Sequence, residues 1–433
     1  MKLLHSDRRA QRLATEFKRD AKGRERENES EYEIVERHTN MNSRVLIIYE
    51  WIPEYRRPFY IKLMDELAAR GIALTVLAGT PTAVQAARNE AVVSDSLFVY
   101  TPTRRLKLGG AYLSWQTLGK QPRQHDLIIV EEALKHLETY ALVLRQRFGG
   151  PPVALWGLGT DNIAWRTRRK RGRIARLVKR WLVGRSCWFF AYTEGGADYV
   201  AGNGFPRDRI TVVQNSVDTS GLETAAAAVG ETDKASLREE LGLVEGATCL
   251  FVGALDKHKR LEFLFESCAQ VAAKRSDFRL ILAGDGVQRE LVEQAAASSP
   301  WLHYVGRADA RKEALLASVS ELLLMPGSVG LVAVDSFALR IPIVTTDWPW
   351  QSPEFEHLEA ETNSVVTPDD VSSFAGKVLD LLDDRSRRAH LEAGCAESAK
   401  HYSLSAMVSN FADGVESALA GVGKLNSSAS RQE

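Results

Sequence analysis

The sequence predicts an α/β protein of two doubly wound parallel sheets that face each other across a cleft. Three observations predict it. The chain has 433 residues, too many for one ordinary domain and enough for two. Short apolar runs alternate with helical periodicities in two separate blocks, as parallel strands joined by crossover helices do. Between the blocks, residues 219–246 break the rhythm with Ala, Gly and Glu and no strand signal.

The elements follow in order. Residues 1–43 mix Arg, Lys, Glu and Asp with almost no aromatic or β-branched content, the composition of a disordered tail. Met41 offers a second start just before "NSRVLIIYEW". "RVLIIY" reads as a buried strand and "RPFYIKLMDELAARG" as a helix, with Pro58 in its first turn and Gly71 beyond its end. "IALTVLA", "DLIIV", "VALW" and "CWFFAYT" are further strands, followed by the helix "EGGADYVAGNG" and by "ITVVQN". This first domain spans 44–215. After a linker with one short helix, "ATCLFVG", "FRLILAG", "LHYVG", "ELLLMPG" and "IPIVTT" alternate with helical segments, giving a second domain over 216–400. Helical patterns cover about 371–382 and 386–420, and a disordered polar tail fills 421–433.

Composition excludes several classes. No run approaches the roughly 18 uncharged apolar residues of a membrane span. Cys187, Cys249, Cys268 and Cys395 lie far apart with no CxxC pair, which speaks against a zinc knuckle or a disulfide frame and suits a reducing cytoplasm. HExxH, GxSxG and Walker motifs are missing, so protease, esterase and ATPase chemistry lack support. None of the nine histidines has metal-ligand spacing, and no metal or cofactor is expected. The first strand is not followed by GxGxxG, which argues against a dinucleotide dehydrogenase.

Two loops carry the chemistry. In "MPGSVGLVAVDSF", Gly327 and Gly330 let the backbone bend and approach a ligand, and the helix after them offers free N–H groups and a positive dipole end. Asp335 shares a helix face with Leu331 and Ala338. A carboxylate on so apolar a helix needs partners. Sugar or ribose hydroxyls would serve, and so would a neighbouring loop amide. In "FVGALDKHKRLEFL", Lys257, Lys259 and Arg260 crowd a helix entrance, where cations oppose the dipole. Either an anionic ligand shares that site, or the loop is simply solvated.

With "LAGDGVQRE" between them, these loops resemble the retaining glycosyltransferases of family 4, which have the GT-B fold. The resemblance runs from about Arg44 to Ala420 and is strongest in the second half. "YTEGGADYV", "ITVVQNSVD", "TTDWPWQSPEFEHL" and the closing "YSLSAMVSNFADGVESAL" also fall where the family places them. It implies two Rossmann-like domains and a helix at 401–420 returning to the first. It implies that Gly253 and Lys259 meet the donor diphosphate, with Arg260 beside them. The turn Ser328, Val329, Gly330 and Leu331 is implied to offer backbone amides, and Asp335 to hold the donor ribose. Lys259 and Asp335 are thus the implied catalytic pair. The sequence departs from the family at Gly327, where an acid is usual, at Ala254 in place of Arg, and at Leu158 in place of His.

Two features concern the acceptor. "YEWIPEYRRPFY" puts Glu50, Tyr55, Arg56 and Arg57 after the first strand, where Arg56 or Arg57 could meet an acceptor phosphate. "RTRRKRGRIARLVKRWLVGR", residues 166–185, holds ten Lys or Arg and no acid. Ile174, Leu177, Val178, Trp181 and Leu182 form one stripe of an amphipathic helix. With Arg169, Arg171, Arg176 and Trp181, that helix suits an anionic lipid surface, or packs its stripe inward. Nucleic acid is not expected, because aromatics are not interleaved with the charge.

The expectation is a glycosyltransferase on the inner face of the cytoplasmic membrane. It would move a sugar from a nucleotide diphosphate to a lipid-linked or cell-surface glycan acceptor. A non-catalytic relative that binds a nucleotide sugar or a partner is the alternative, and a nucleotide-sugar epimerase is the third reading.

Overall fold

The computed structural model describes residues 42–82, 92, 95–108, 111–159 and 170–429. The tail expected over 1–43 falls almost wholly outside them. The first half contains strands β1 (Ser43–Tyr49), β2 (Ile72–Gly79), β3 (Val99–Thr101), β4 (Thr103–Leu108), β5 (Ala111–Gln116), β6 (Leu127–Glu131), β7 (Val153–Gly157), β8 (Trp188–Ala191) and β9 (Ile210–Val212). Seven of these form one parallel sheet in the order β3-β2-β1-β6-β7-β8-β9. Val45 to Ile48 of β1 are all buried, as a strand covered on both faces must be. Helices α1 (Arg57–Ala69), α2 (Leu137–Gln146), α3 (Lys170–Val183) and α4 (Glu194–Gly202) connect the strands. On α1, Phe59, Tyr60, Leu63 and Leu67 make the buried stripe. The antiparallel hairpin β4–β5 stands apart from the main sheet. The sequence reading missed both it and α2.

The 219–246 region holds two helices rather than one, α5 (Ser220–Ala227) and α6 (Glu231–Leu241). The second sheet then comprises β10 (Thr248–Val252), β11 (Arg279–Ala283), β12 (Leu302–Gly306), β13 (Leu322–Leu324), β14 (Ile343–Thr346) and β15 (Ser364–Thr367). All pairings are parallel, in the order β12-β11-β10-β13-β14-β15. The order reverses between β10 and β13. Loops leaving those two strands therefore diverge and open a crevice, where ligands bind in such sheets. They are the two loops singled out from sequence. The helices here are α7 (Leu261–Lys274), α8 (Arg289–Ser298), α9 (Ala310–Ser318), α10 (Val332–Leu339), α11 (Val371–Asp383), α12 (Arg385–His401) and α13 (Leu404–Ala429).

The single helical pattern over 386–420 is in fact two helices, broken at Tyr402 and Ser403. The tail expected from 421 is corrected too: α13 runs on to Ala429, continuing a spacing of three and four residues through Phe411, Val415 and Ala418. This helix returns across the chain to the first sheet. Met407, Phe411, Ala412 and Val415 belong to that sheet's core. Phe411 stacks on Phe190 at 4.5 Å and meets Trp156 edge-on at 5.1 Å. Two Rossmann-like sheets with a returning terminal helix are the GT-B arrangement expected above.

Phe411→Ala removes the ring that joins helix to sheet. It is expected to cost about 3–5 kcal/mol, read as a lower urea midpoint for the tryptophan signal of the first sheet.

Candidate functional site

The site lies at the switch point of the second sheet, where the loops after β10 and β13 are laced together. Ser328 donates its amide to the His258 carbonyl at 2.8 Å. Lys259 Nζ donates to the Ser328 carbonyl at 2.6 Å. Gly327 is the reason they fit. A Cβ there would lie 2.1 Å from the His258 oxygen and 2.9 Å from Lys259 Cα. The position where relatives carry an acid is thus closed by the neighbouring backbone, and a larger side chain would push the lysine loop away.

Lys259 is mostly buried and has no carboxylate within ion-pair distance among the described residues. Burial holds its pKa below the usual lysine range, with Asp256 and Glu354 opposing that shift. A buried ammonium in this state gains strongly from an arriving anion. Donors for one stand nearby: among the described residues, the amides of Gly330 and Leu331 have no protein acceptor and head α10. The Val329 amide is taken by Gln351 Oε1 at 2.8 Å, and Ser328 Oγ by Ser352 Oγ at 2.6 Å. Gly253 passes under the lysine, with its Cβ position 3.5 Å from Lys259 Cε.

Arg260 corrects an expectation. Its guanidinium is bound to Asp369, reaches the Pro326 carbonyl at 3.3 Å, and lies over the rings of Phe263 and Trp348. That arginine braces the loop instead of facing the lysine's anion site.

Asp335 sits in the first turn of α10. No protein donor reaches its carboxylate among the described residues, which leaves the loop-amide reading without support. Burial pushes it up to about 7, helped by the like charge of Glu313 on α9. Next to the Gly253 backbone that passes under Lys259, a cavity of about 650 Å³ opens between the ends of β10, β11 and β12, lined by Gly253, Leu255, Gly284, Asp285 and Arg307. Gly284 makes it possible, since a Cβ there would lie 2.0 Å from the Gly253 oxygen.

The first-domain loop does not present its cations. Arg56 is 2% exposed and donates to Asn215 Oδ1 at 2.8 Å and the Ser216 carbonyl at 3.3 Å. Arg57 pairs with Asp95 at 2.6 Å. Arg56 is thus not available to an acceptor phosphate, contrary to expectation, whereas Arg57 is part exposed and has Asp95 as its counterion. Of the four residues named there, Tyr55 stays exposed. Glu50 accepts from Tyr112 Oη at 3.0 Å, from Arg105 Nε at 3.4 Å and from Lys135. Burial pushes its carboxyl up, but the Lys135 and Tyr112 bonds outweigh that and hold it below the usual range. Glu50 so clamps the β4–β5 hairpin onto the sheet. Glu50, Glu131 and His136 could approach one cation. Lys135 already serves Glu50, and the His136 ring contacts Ser114 Oγ at 2.7 Å and Glu131 at 3.2 Å. Lys135, Tyr112 and His136 carried no motif, and only the fold brings them together.

On α3, Ile174, Leu177 and Trp181 are exposed while Leu182 and Val183 are buried. Arg169 and the Arg171 side chain lie outside the described residues.

Comparison with known proteins decides the family. Residues 59–220 match the model "Glycosyltransferase Family 4" and residues 246–384 match "Glycosyl transferases group 1". The chain belongs to the family 4 glycosyltransferases. The alpha-D-kanosaminyltransferase of Streptomyces kanamyceticus is 28% identical over 183 residues, 41% of this chain and 47% of that protein. A phosphatidyl-myo-inositol mannosyltransferase of Mycolicibacterium smegmatis is 26% identical over 168 residues, 37% and 42%. The chain thus spans about half the length of the curated relatives it matches. The crystal structure of Anabaena HepE in complex with UDP shares the fold of this family 4 chain at a TM-score of 0.63 and 15% identity, covering 86% of this chain and 100% of that one. The apo lipopolysaccharide outer core galactosyltransferase WaaB gives 0.59 at 13%, covering 86% and 99%.

Two outcomes test this geometry. Gly327→Ala should lower the melting temperature by several degrees, because backbone atoms must move to admit the methyl group. Asp335→Asn should stabilise the protein at pH 8 and leave it nearly unchanged at pH 4. A carboxyl raised to about 7 from 3.8 costs native stability above the unfolded value, and the cost is complete once pH passes the folded one.

Proposed function

We propose that the protein is a retaining glycosyltransferase that takes a sugar from a nucleoside diphosphate donor. The observation that carries this is Lys259, largely buried and without an ion-paired carboxylate among the described residues, bonded through its amine to the Ser328 carbonyl of the same turn whose Gly330 and Leu331 amides have no protein acceptor. Together they suit a diphosphate, whose growing charge in the transition state is what such donors stabilise. The 650 Å³ cavity alongside suits the nucleoside, and Asp335 suits the ribose hydroxyls. The leaving diphosphate then helps to take the acceptor proton, and the protein supplies charge and positioning. The acceptor enters from the first domain, over Tyr55 and the β4–β5 hairpin.

We further propose that the acceptor is a lipid-linked glycan met at the cytoplasmic membrane face. The exposed Ile174, Leu177 and Trp181 support this, because that part of the stripe is not packed inward, while Leu182 at its end is. Trp181 stacks on Tyr140 of α2 at 6.4 Å, which joins that stripe to the exposed Leu137, Leu144 and Phe148. Between Asn162 and Thr193 the sequence has no acid. No helix among the described residues is long and apolar enough to cross a membrane, so contact would be peripheral. The closed position at Gly327 favours one second reading, a relative that binds the donor without turning it over.

Calorimetry with a panel of nucleoside diphosphates, followed by hydrolysis assays on the matching sugars, separates these. Lys259→Ala should weaken binding at least tenfold, about 1.4 kcal/mol. Affinity should rise from pH 6 to pH 8 as Asp335 ionises, and Asp335→Asn should flatten that limb. It should fall again at alkaline pH, earlier than an ordinary lysine would dictate. Donor binding without any hydrolysis or transfer would favour the second reading. Flotation with anionic vesicles should be lost in Ile174→Glu with Leu177→Glu, and unchanged flotation would refute the membrane assignment.

A further inference from the structure

The loop after β14 touches the donor turn and the first domain within the seven residues 351–357. At its near end, Gln351 Oε1 accepts from the Val329 amide at 2.8 Å, and Ser352 Oγ contacts Ser328 Oγ at 2.6 Å. Gln351 is itself aligned by the Thr346 carbonyl, to which its Nε2 donates at 3.1 Å. These two side chains hold the turn that carries the Gly330 and Leu331 amides. Residues 353–357 then form one short 3-10 helix, and three of its side chains reach the first domain. Glu354 Oε1 accepts from Asn215 Nδ2, and Asn215 Oδ1 accepts from Arg56 Nη2 at 2.8 Å. An amide is the side chain that accepts from a guanidinium while donating to a carboxylate. All three are buried. His357 Nε2 contacts the Asn215 carbonyl at 2.9 Å. The third anchor is Glu356, whose Oε2 accepts from the Gly195 amide at 2.8 Å in the first turn of α4. A helix start has free N–H groups and the positive end of the dipole, so a carboxylate fits there. Gly195 leaves the room for it: a Cβ there would lie 2.4 Å from Glu356 Oε1 and 2.9 Å from its Cδ.

We propose that Glu356 is a positioning residue for the donor: docked on α4, it makes residues 351–357 a strap through which the seating of the first domain fixes the turn that receives the diphosphate. The proposal rests on the donor-site reading given above. A turn that must be ordered when its ligand arrives weakens binding, and one held beforehand does not. Every link of the strap is a hydrogen bond or the backbone between two of them. Glu354 and His357 fix its middle on the crossover, Glu356 fixes its outer side on α4, and Gln351 and Ser352 pass that placement to Val329 and Ser328. Glu356 is exposed, so its bond to the helix start is of ordinary surface strength. It is therefore the anchor that can be removed without unfolding the join, whereas the Arg56, Asn215 and Glu354 chain is buried and bears on folding itself.

Calorimetry on the full chain, with the nucleoside diphosphate selected by the panel and well below the melting temperature, tests it. Glu356→Ala should weaken binding about threefold, the size of one carboxylate at a helix start. Glu356→Gln keeps an oxygen for the Gly195 amide and should recover most of that loss. Gly195→Ala should weaken binding to the same extent as Glu356→Ala, although it lies in the other domain and adds a residue that favours the helix. The double variant should bind no more weakly than either single one, because the methyl group then displaces nothing. Wild-type affinity in both Glu356→Ala and Gly195→Ala would overturn the proposal, even if their melting temperatures fall, and so would losses that add in the double variant. If Lys259→Ala leaves binding intact, the donor-site reading itself fails. If Lys259→Ala weakens binding while Glu356→Ala does not, the strap proposal alone fails.

Discussion

The amine of Lys259 is buried against a carbonyl and has no carboxylate of its own. The rest of the site is arranged around that deficit. Gly327 lets the lysine loop press against the turn after β13, Arg260 is tied back by Asp369, and the amides of Gly330 and Leu331 on that turn have no protein acceptor among the described residues. Burial depresses the lysine's proton affinity and raises that of Asp335, so the site holds two charged groups that burial disfavours. A diphosphate and a pentose hydroxyl are the groups that relieve both. Titratable groups perturbed in this way cluster at binding and catalytic sites.

Much of this was legible in the sequence. Alternating strands and helices gave both sheets, because fully buried strands and amphipathic helices have distinct periods. The two loops of the second domain stood out because glycines before a helix start and lysines crowding another are the pattern of an anion site, although a solvated loop would read the same. The departures at Gly327 and Ala254 could also be read, but their meaning could not. Whether a missing acid leaves a hole or is closed by a neighbouring loop depends on a contact between residues seventy positions apart in kind, such as Ser328 with His258.

The first domain was less legible. Arg56 and Arg57 looked like a paired cationic patch, yet one faces inward to the crossover and the other is neutralised by Asp95. A row of basic residues says nothing of which way each points. The hairpin that Glu50 clamps was missed because β4 is rich in Arg and Lys and β5 lacks the regular apolar alternation that marks a half-buried strand. Of the groups that meet Glu50 there, Tyr112 lies on β5 itself and Lys135 in the loop after β6. Asn215 and Glu354 fell inside stretches whose resemblance was noticed, but only the seating of the two sheets makes a chain of them with Arg56.

The helix α13 closes the first sheet's core with Phe411, Met407 and Val415, yet it is synthesised after every strand of both sheets. On the ribosome the order of completion is therefore inverted. The second sheet can finish packing while the first still exposes Trp156 and Phe190 to the cellular milieu, so the earlier-made half is the one that waits, and the one a chaperone would have reason to hold.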